Sequence, residues 1–369
     1  MLKLPGRGKE GLDKSDSFNP YKSLFSVVNT RKEERVETKK FLAAEKEFEK
    51  KKPGEVVLQN VGKRFGKQVV LDNVNLKIKP GTIFGIIGPS GSGKTTILRL
   101  IIGFYKPTTG TISFNQQEVR KHIHLVDTSF GFATQDNSFY HELTVEENVR
   151  FFGKLYGLHD DFLDANISNT LGLVDLSEAR HVEAKNLSGG MQRRLDLACA
   201  LIHDPKVLIL DEPTEDLDPL LRNELLGLIK NVNKSGTTII FTTHLLEEAE
   251  FLCDEVAVLA DGKVISVGSI EELRKAYRSG DEIHLVLESR DYKRYAQSLQ
   301  NLEMEVKENK LVIYVPAREK AIQVLKRVLS LVERYKDNIL LADIRKPSLE
   351  DVFEKITKNV KDKKTKKGN

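Results

Sequence analysis

The sequence predicts an α/β protein followed by a smaller α+β unit, and three observations carry that prediction. The apolar run Thr82 to Ile87 enters a glycine-rich turn, Gly88 to Thr95, and leaves it as an apolar helical stretch. Apolar strand runs recur at Val207–Leu210, Thr237–Thr242 and Glu255–Leu259 with helical patterns between them, the alternation of an α/β sheet. From Asp281 the pattern becomes strand, helix, strand, strand, helix, strand, the ferredoxin-like split order.

Taken in chain order, residues 1–53 read as a charged extension, partly helical or disordered. Gly6, Gly8 and Gly11 loosen its start, and Arg31 to Lys52 is dense in Lys and Glu. Phe41, Ala44 and Phe48 stand at i, i+3 and i+7, but Glu45 takes the i+4 place, so the helical stripe is rough. The segment reads either as a solvated helix or linker, or as an amphipathic arm for a membrane surface or partner. Pro53-Gly54 punctuates the chain, and the β-type runs Glu55–Val61 and Val69–Ile78 follow. The main α/β region is expected over 54–280 and the α+β unit over 281–360. Within the latter the strands are Ile283–Leu287, Glu303–Val306, Leu311–Val315 and Ile339–Ile344, with helices at Asp291–Gln300 and Ala317–Tyr335. A last helix, Leu349–Thr357, precedes a Lys-rich tail, 361–369, expected to be disordered.

Composition bounds the function. At ~150 residues per domain, 369 residues give roughly two domains and an appendage. Lys and Arg number 58 against 54 Asp and Glu, a net +4, which argues against a general polyanion coat. No tryptophan is present, which rules out a Trp-built sugar or aromatic-cage site. The longest apolar candidate, Ile97 to Phe104, is broken by Arg99 and Gly103, so no membrane span is expected. Met1 to Lys14 carries charge but no apolar stretch of the signal-peptide kind. Cys199 and Cys253 lack metal-ligand spacing and read as buried small hydrophobes in a reducing compartment.

Gly88-Pro89-Ser90-Gly91-Ser92-Gly93-Lys94-Thr95 fits G-x-x-x-x-G-K-[ST] between a strand and a helix. Glycines let the backbone wrap phosphates, and amides at a helix N-terminus point at them. Lys94 is placed to reach β- and γ-phosphates, and the Thr95 hydroxyl to ligate Mg²⁺. A second half-site is Val207 to Leu210 running into Asp211-Glu212: Asp211 suits Mg²⁺ through water, and Glu212 suits general-base work on an attacking water. Ser188-Gly189-Gly190 opens a helix with the apolar stripe Leu195, Ala198, Cys199 and Ile202. That turn reads either as an anion site or as a plain serine cap.

The phosphate loop, Gln135, the Ser188 turn, Asp211-Glu212, Asp218 and His244 follow one another as in an ATP-binding-cassette (ABC) transporter ATPase subunit. The sequence resembles that family from about Glu55 to Tyr277. The resemblance implies a P-loop NTPase fold of the ABC ATPase type with an antiparallel β-subdomain, and ATP and Mg²⁺ as ligands. It places Phe65 on adenine, residues Gly88 to Thr95 with Thr96 around the phosphates, and Thr95, Gln135 and Asp211 at Mg²⁺. Gln135 would also sense the permease, Glu212 would be the base, and His244 would contact the γ-phosphate. Ser188, Gly189 and Gly190 would reach the nucleotide of a second subunit, and Asp218 lies in the loop that crosses between subunits.

Two positions depart from the usual pattern. Met191 replaces the more common Gln, which looks like the exporter branch, of which the drug exporters are part, and Glu215-Asp216 stands where small residues are usual. Pro347 to Phe353 resembles that branch's closing helix motif. The expected whole is an ATP-hydrolysing exporter subunit at the cytoplasmic face of the membrane. It would pair with a second copy or a paralogue, drive a separate integral-membrane permease, and bind no nucleic acid. A single phosphate loop without a long coiled-coil insertion disfavours the ribosome- or DNA-directed ABC ATPases. The C-terminal split pattern disfavours a sugar importer, and an intact Glu212 disfavours a regulator without turnover.

Overall fold

The computed structural model describes residues 53–134, 138–277, 280–316, 318–350 and 353. Strands β1 (Val56–Phe65) and β2 (Gln68–Ile78) form an antiparallel hairpin across Gly66. β3 (Ile83–Ile87) is buried throughout and leads through the phosphate loop into α1 (Lys94–Ile101). β4 (Thr109–Phe114) and the short β5 (Gln117–Glu118) return to complete a sheet ordered β2-β1-β4-β5. Sequence reasoning gave no strand at β4: half its residues are exposed, so Thr109 to Phe114 carries little apolar signal.

A helical region follows. α2 (Ile123–Ser129) precedes β6 (Phe130–Ala133), and α3 (Val145–Leu155) and α4 (Asp160–Leu173) come before α5 (Gly189–Leu201). Thr144 and Glu147 form a reciprocal capping box that starts α3. The stripe Leu195, Ala198, Cys199 and Ile202 buries α5 and its C-cap as the spacing predicts.

The chain then completes the central sheet. β7 (Val207–Asp211) leads to α6 (Pro219–Lys234), β8 (Thr238–Thr243) to α7 (Leu246–Leu252), and β9 (Glu255–Ala260) turns into β10 (Lys263–Gly268) before α8 (Ile270–Tyr277). The order is β10-β9-β3-β8-β7-β6, parallel except for the β9–β10 edge pair. β3, β7 and β8 are wholly buried, as parallel strands covered on both faces should be. Cys199 is buried and Cys253 only half-buried, a correction to the expectation for the second thiol.

Beyond residue 280, β11 (Glu282–Leu287), α9 (Tyr292–Ser298), β12 (Glu303–Lys307), β13 (Lys310–Tyr314), α10 (Ala321–Tyr335) and β14 (Ile339–Arg345) follow in the expected sequence. Their antiparallel sheet is ordered β12-β13-β11-β14. Ile283, Leu285, Tyr295, Ile313, Val324 and Val328 make its own core. The chain then returns: Leu349 and Phe353 pack with Ile87, Ala249, Val256 and Leu273, directly behind the phosphate loop. Leu349 is 1% exposed, so the closing motif is bound to the first region by burial. The N-terminal arm, most of the helix expected over 349–357 and the Lys-rich tail lie outside the described residues.

Candidate functional site

Parallel strands point one way, so their C-terminal ends collect loops on a single edge of the sheet. β3 delivers Gly88 there, β7 delivers Asp211-Glu212, and β8 delivers His244. The phosphate loop depends on its glycines at two places. A Cβ on Gly88 would sit 2.3 Å from the Leu259 carbonyl oxygen, and Gly93 caps α1 with φ 108°, a conformation that disfavours side chains. Lys94, 4% exposed, folds back over this loop. Its ammonium donates to the carbonyls of Gly88 at 3.0 Å and Pro89 at 3.4 Å, and pairs with Glu212 Oε1 at 3.1 Å. The buried Ser92 Oγ has no hydrogen-bond partner among the described residues, a polar atom left for a ligand. Pro89, Ser90 and Gly91 are exposed, and Thr95 and Thr96 are half-buried.

Asp211 is nearly buried and accepts from Thr242 Oγ1 at 2.6 Å and from Thr95 Oγ1 at 3.2 Å. Burial pushes its carboxyl above the ordinary value, against the pull of those two hydroxyls. Thr95 and Asp211 thus bring hard oxygen donors side by side, the donor chemistry that suits Mg²⁺. Glu212 adopts φ 47°, an uncommon backbone for a residue with a Cβ. Its amide donates to Thr242 Oγ1 at 3.0 Å, which fixes the turn. Its carboxylate accepts from His244 Nδ1 at 2.7 Å and faces Lys94. Burial alone would raise the Glu212 pKa, but the hydrogen bonds from His244 and Lys94 win and hold it below the usual value. The carboxylate is therefore ionised near neutrality, as a proton acceptor must be.

Phe65 is 42% exposed at the end of β1, in edge contact with Tyr105 at 5.1 Å between ring centroids. Lys63 Nζ stands 4.8 Å from the Phe65 centroid and 5.1 Å from that of Tyr105. This aromatic pair thus combines π surface and positive charge.

Lys94, Thr95, Asp211, Glu212 and His244 converge. Ser188 and Gly189 do not: both are exposed at the start of α5, Ser188 Oγ accepts from the Met191 amide at 3.4 Å, and Gly190 is buried. Among the described residues no hydrogen bond or ion pair joins that turn to the cluster. Asp218 caps α6, accepting from the amides of Leu220 at 3.0 Å and Leu221 at 3.1 Å. Asp216, one of the two unusual acids, is exposed with φ 63°. Gln135 lies outside the described residues. Sequence reasoning missed Thr242, Tyr105 and Lys63. Thr242 looked like an ordinary strand residue, and only the register of β7 against β8 puts it opposite Asp211.

The chain is similar to known proteins in sequence and in fold. Residues 71–215 match the family described as ABC transporter. The chain is similar to the linearmycin resistance ATP-binding protein LnrL of Bacillus subtilis (strain 168), with 31% identity over 81% of this chain and 97% of that one. It is 32% identical to the daunorubicin resistance ATP-binding protein DrrA3 of Streptomyces coeruleorubidus, across 82% of this chain and 95% of the relative. Among solved structures it is similar to the dimeric post-hydrolysis state of the ATP-binding cassette MJ0796 bound to ADP and Pi. That match has a TM-score of 0.53 at 30% identity and covers 58% of this chain and 98% of the other.

Proposed function

The chain belongs to the ABC transporter family of ATP-binding subunits, and on that premise we propose that it powers export through a separate membrane permease by binding and hydrolysing ATP. One observation carries the residue assignment: an ionised Glu212 lies between Lys94 and His244, next to the Thr95–Asp211 oxygen pair, on the edge to which β3 brings the phosphate loop. Lys94 and the amides of residues 88–96 hold the phosphates. Ser92, whose Oγ has no other partner among the described residues, donates to them. Thr95 and Asp211, with Gln135, hold Mg²⁺, which when bound offsets phosphate charge. Glu212 accepts the proton of the attacking water, and His244 orients Glu212 and faces the γ-phosphate. Phe65, backed by Tyr105, stacks on the adenine.

Lys94 has two sets of partners in this scheme. It pairs with Glu212 and two loop carbonyls in the structure, and the phosphates of ATP are stronger partners for the same ammonium. Binding of ATP therefore draws the ammonium from Glu212 and leaves that carboxylate free to take up a proton.

The exposed Ser188–Gly190 turn is a helix N-terminus suited to the open γ-phosphate end of a second subunit's nucleotide. Two chains, identical or paralogous, close head to tail on two ATP molecules, with Asp218 at their boundary. The ATPase region spans 54–280, and the 281–360 unit is a ferredoxin-like accessory domain. Among the described residues no helix is long and apolar enough to cross a membrane, so the permease supplies the spans and holds this subunit at the cytoplasmic face.

The test is nucleotide-dependent association. Glu212→Gln with saturating Mg-ATP should give a dimer by light scattering, and ADP should give a monomer. Adding Ser188→Arg should abolish the dimer and keep ATP binding. A dimer indifferent to nucleotide and to Ser188→Arg would sink the shared-site reading.

A further inference from the structure

A second buried carboxylate lies behind the cluster, on α7. Glu248 is 2% exposed. It accepts the Thr214 hydroxyl at 2.5 Å and the Thr243 hydroxyl at 2.6 Å, and Arg222 Nε stands 3.4 Å away. Each partner belongs to a different functional segment. Thr214 follows Glu212 by two residues, Thr243 directly precedes His244, and Arg222 lies on α6, which Asp218 caps. Arg222 also donates to the Leu217 carbonyl at 3.3 Å, fastening the chain just before Asp218. Thr243 Oγ1 in turn accepts from the Leu245 amide at 2.9 Å, fixing the turn that carries His244.

A buried carboxylate is costly unless its oxygens are satisfied, and here two hydroxyls donate to them while the Arg222 guanidinium supplies an opposite charge without a hydrogen bond from Nε. The two hydroxyl contacts are short and wholly buried, with Thr214 2% and Thr243 3% exposed. Such contacts define position sharply, because water cannot replace them. We propose that Glu248 is a positioning residue that holds Glu212 and His244 in register and ties both to the Asp218 boundary loop through Arg222. The consequence is geometric. The 2.7 Å contact between Glu212 and His244 spans two loops with no covalent link nearer than 32 residues, and Glu248 grips both loops. Movement of the Leu217–Asp218 segment on subunit closure is passed through Arg222 to the same carboxylate. Turnover, more than nucleotide affinity, then depends on Glu248.

The inference rests on the proposed roles of Glu212 and His244, and its test separates the two. In the full-length chain, Glu248→Ala should lower kcat on the order of 10²-fold, the scale of an ångström-level misplacement of a reacting group. KM for ATP and the affinity for ADP should stay unchanged. Glu248→Gln keeps the shape of the side chain and one of the two acceptor oxygens, since an amide nitrogen cannot accept the second threonine hydroxyl, and it loses the charge facing Arg222; it should retain intermediate turnover and covers the case in which the alanine variant fails to fold. Amide hydrogen exchange gives a readout independent of turnover: residues 211–217 and 242–246 should exchange faster in both variants, and α1 should not. Folded variants with wild-type kcat and unchanged exchange would overturn the proposal, as would a fall in ADP affinity parallel to kcat. A wild-type chain that hydrolyses no ATP would instead refute the proposed function, and exchange would still judge the clamp.

Discussion

Two carboxylates, Glu212 in the parallel sheet and Asp337 in the C-terminal unit, sit among similar partners and do different things. Asp337 is 3% exposed by side chain. It accepts from the Ser289 amide and hydroxyl, the Asn338 amide, the Tyr295 hydroxyl and Arg294. Burial would raise its pKa, yet the Ser289 hydrogen bonds and the other donors bring it down to about 2. Every acceptor site is used, and every partner comes from the same small unit. Among the described residues Glu212 has two partners, both cationic or titratable, with a left-handed backbone and a 15% exposed side chain, and the phosphate-loop Ser92 hydroxyl has no hydrogen-bond partner. A saturated network fixes structure, whereas an undersatisfied one at a sheet edge has donors and acceptors left for a ligand.

Removing each carboxylate should therefore give opposite phenotypes. Glu212→Gln should lower steady-state ATP hydrolysis by roughly 10²–10⁴-fold while ATP still binds, because a positioned base is lost and the phosphate loop is intact. Retention of more than half the wild-type turnover, measured as phosphate release, would overturn the base assignment. Lys94→Ala is next in size. It removes a charge-assisted contact worth about 1.5–3 kcal/mol, so ATP should bind some ~10- to 100-fold more weakly by calorimetry. Wild-type affinity in that variant would show that Lys94 serves Glu212 and the loop carbonyls alone.

Asp337 supplies the reverse case. Its folded value of about 2 lies below the ordinary 3.8, so its stabilising effect is present above about pH 4 and is lost as pH falls through 2. Asp337→Asn should cost on the order of 2 kcal/mol of stability at neutral pH. The gap from wild type in urea denaturation should narrow as pH approaches 2, with ATP hydrolysis at neutral pH unaffected. A gap that stays constant down to pH 2 would mean that the ionised form is not what the network holds.

How much of this was legible beforehand follows the same division. Short-range signals were readable: the loop Gly88–Thr95, the Asp211-Glu212 pair, the stripe on α5 and the strand and helix order after residue 281. Each is written in consecutive residues or in one helical period. What escaped depends on register between distant strands. Thr242 meets Asp211 because β8 pairs with β7, and Glu248 meets Thr214 because α7 folds back on a loop 34 residues earlier. Strand β10 escaped for another reason: it is an edge strand, half-buried or exposed at every position, with no continuous apolar run to announce it. The return of Leu349 to the cluster around Ile87 was equally hidden, since only the fold brings the last described residues beneath the first phosphate-loop strand.

The smallest expected effects come from two aromatic pairs that repeat the contrast. Phe65 and Tyr105 meet edge-on at 5.1 Å under Lys63, and Tyr295 and Tyr335 meet edge-on at 5.2 Å under Arg294. Phe65 is 42% exposed, whereas Tyr295 is fully buried. The first pair is open to solvent through Phe65, and the second is sealed through Tyr295. Phe65→Ala should then weaken ATP binding by less than about tenfold, the scale of one aromatic contact of ~0.5–1.5 kcal/mol, and leave the melting temperature unchanged. Phe65→Tyr should bind normally, since the stacking face is kept. Tyr295→Phe keeps the ring packing and removes the hydroxyl that Asp337 accepts at 3.1 Å, so it should cost about 1 kcal/mol of stability and leave nucleotide binding untouched. If Phe65→Ala lowers the melting temperature and spares ATP affinity, the exposed pair is a structural contact like its buried counterpart, and the adenine site has to be sought elsewhere on the sheet edge.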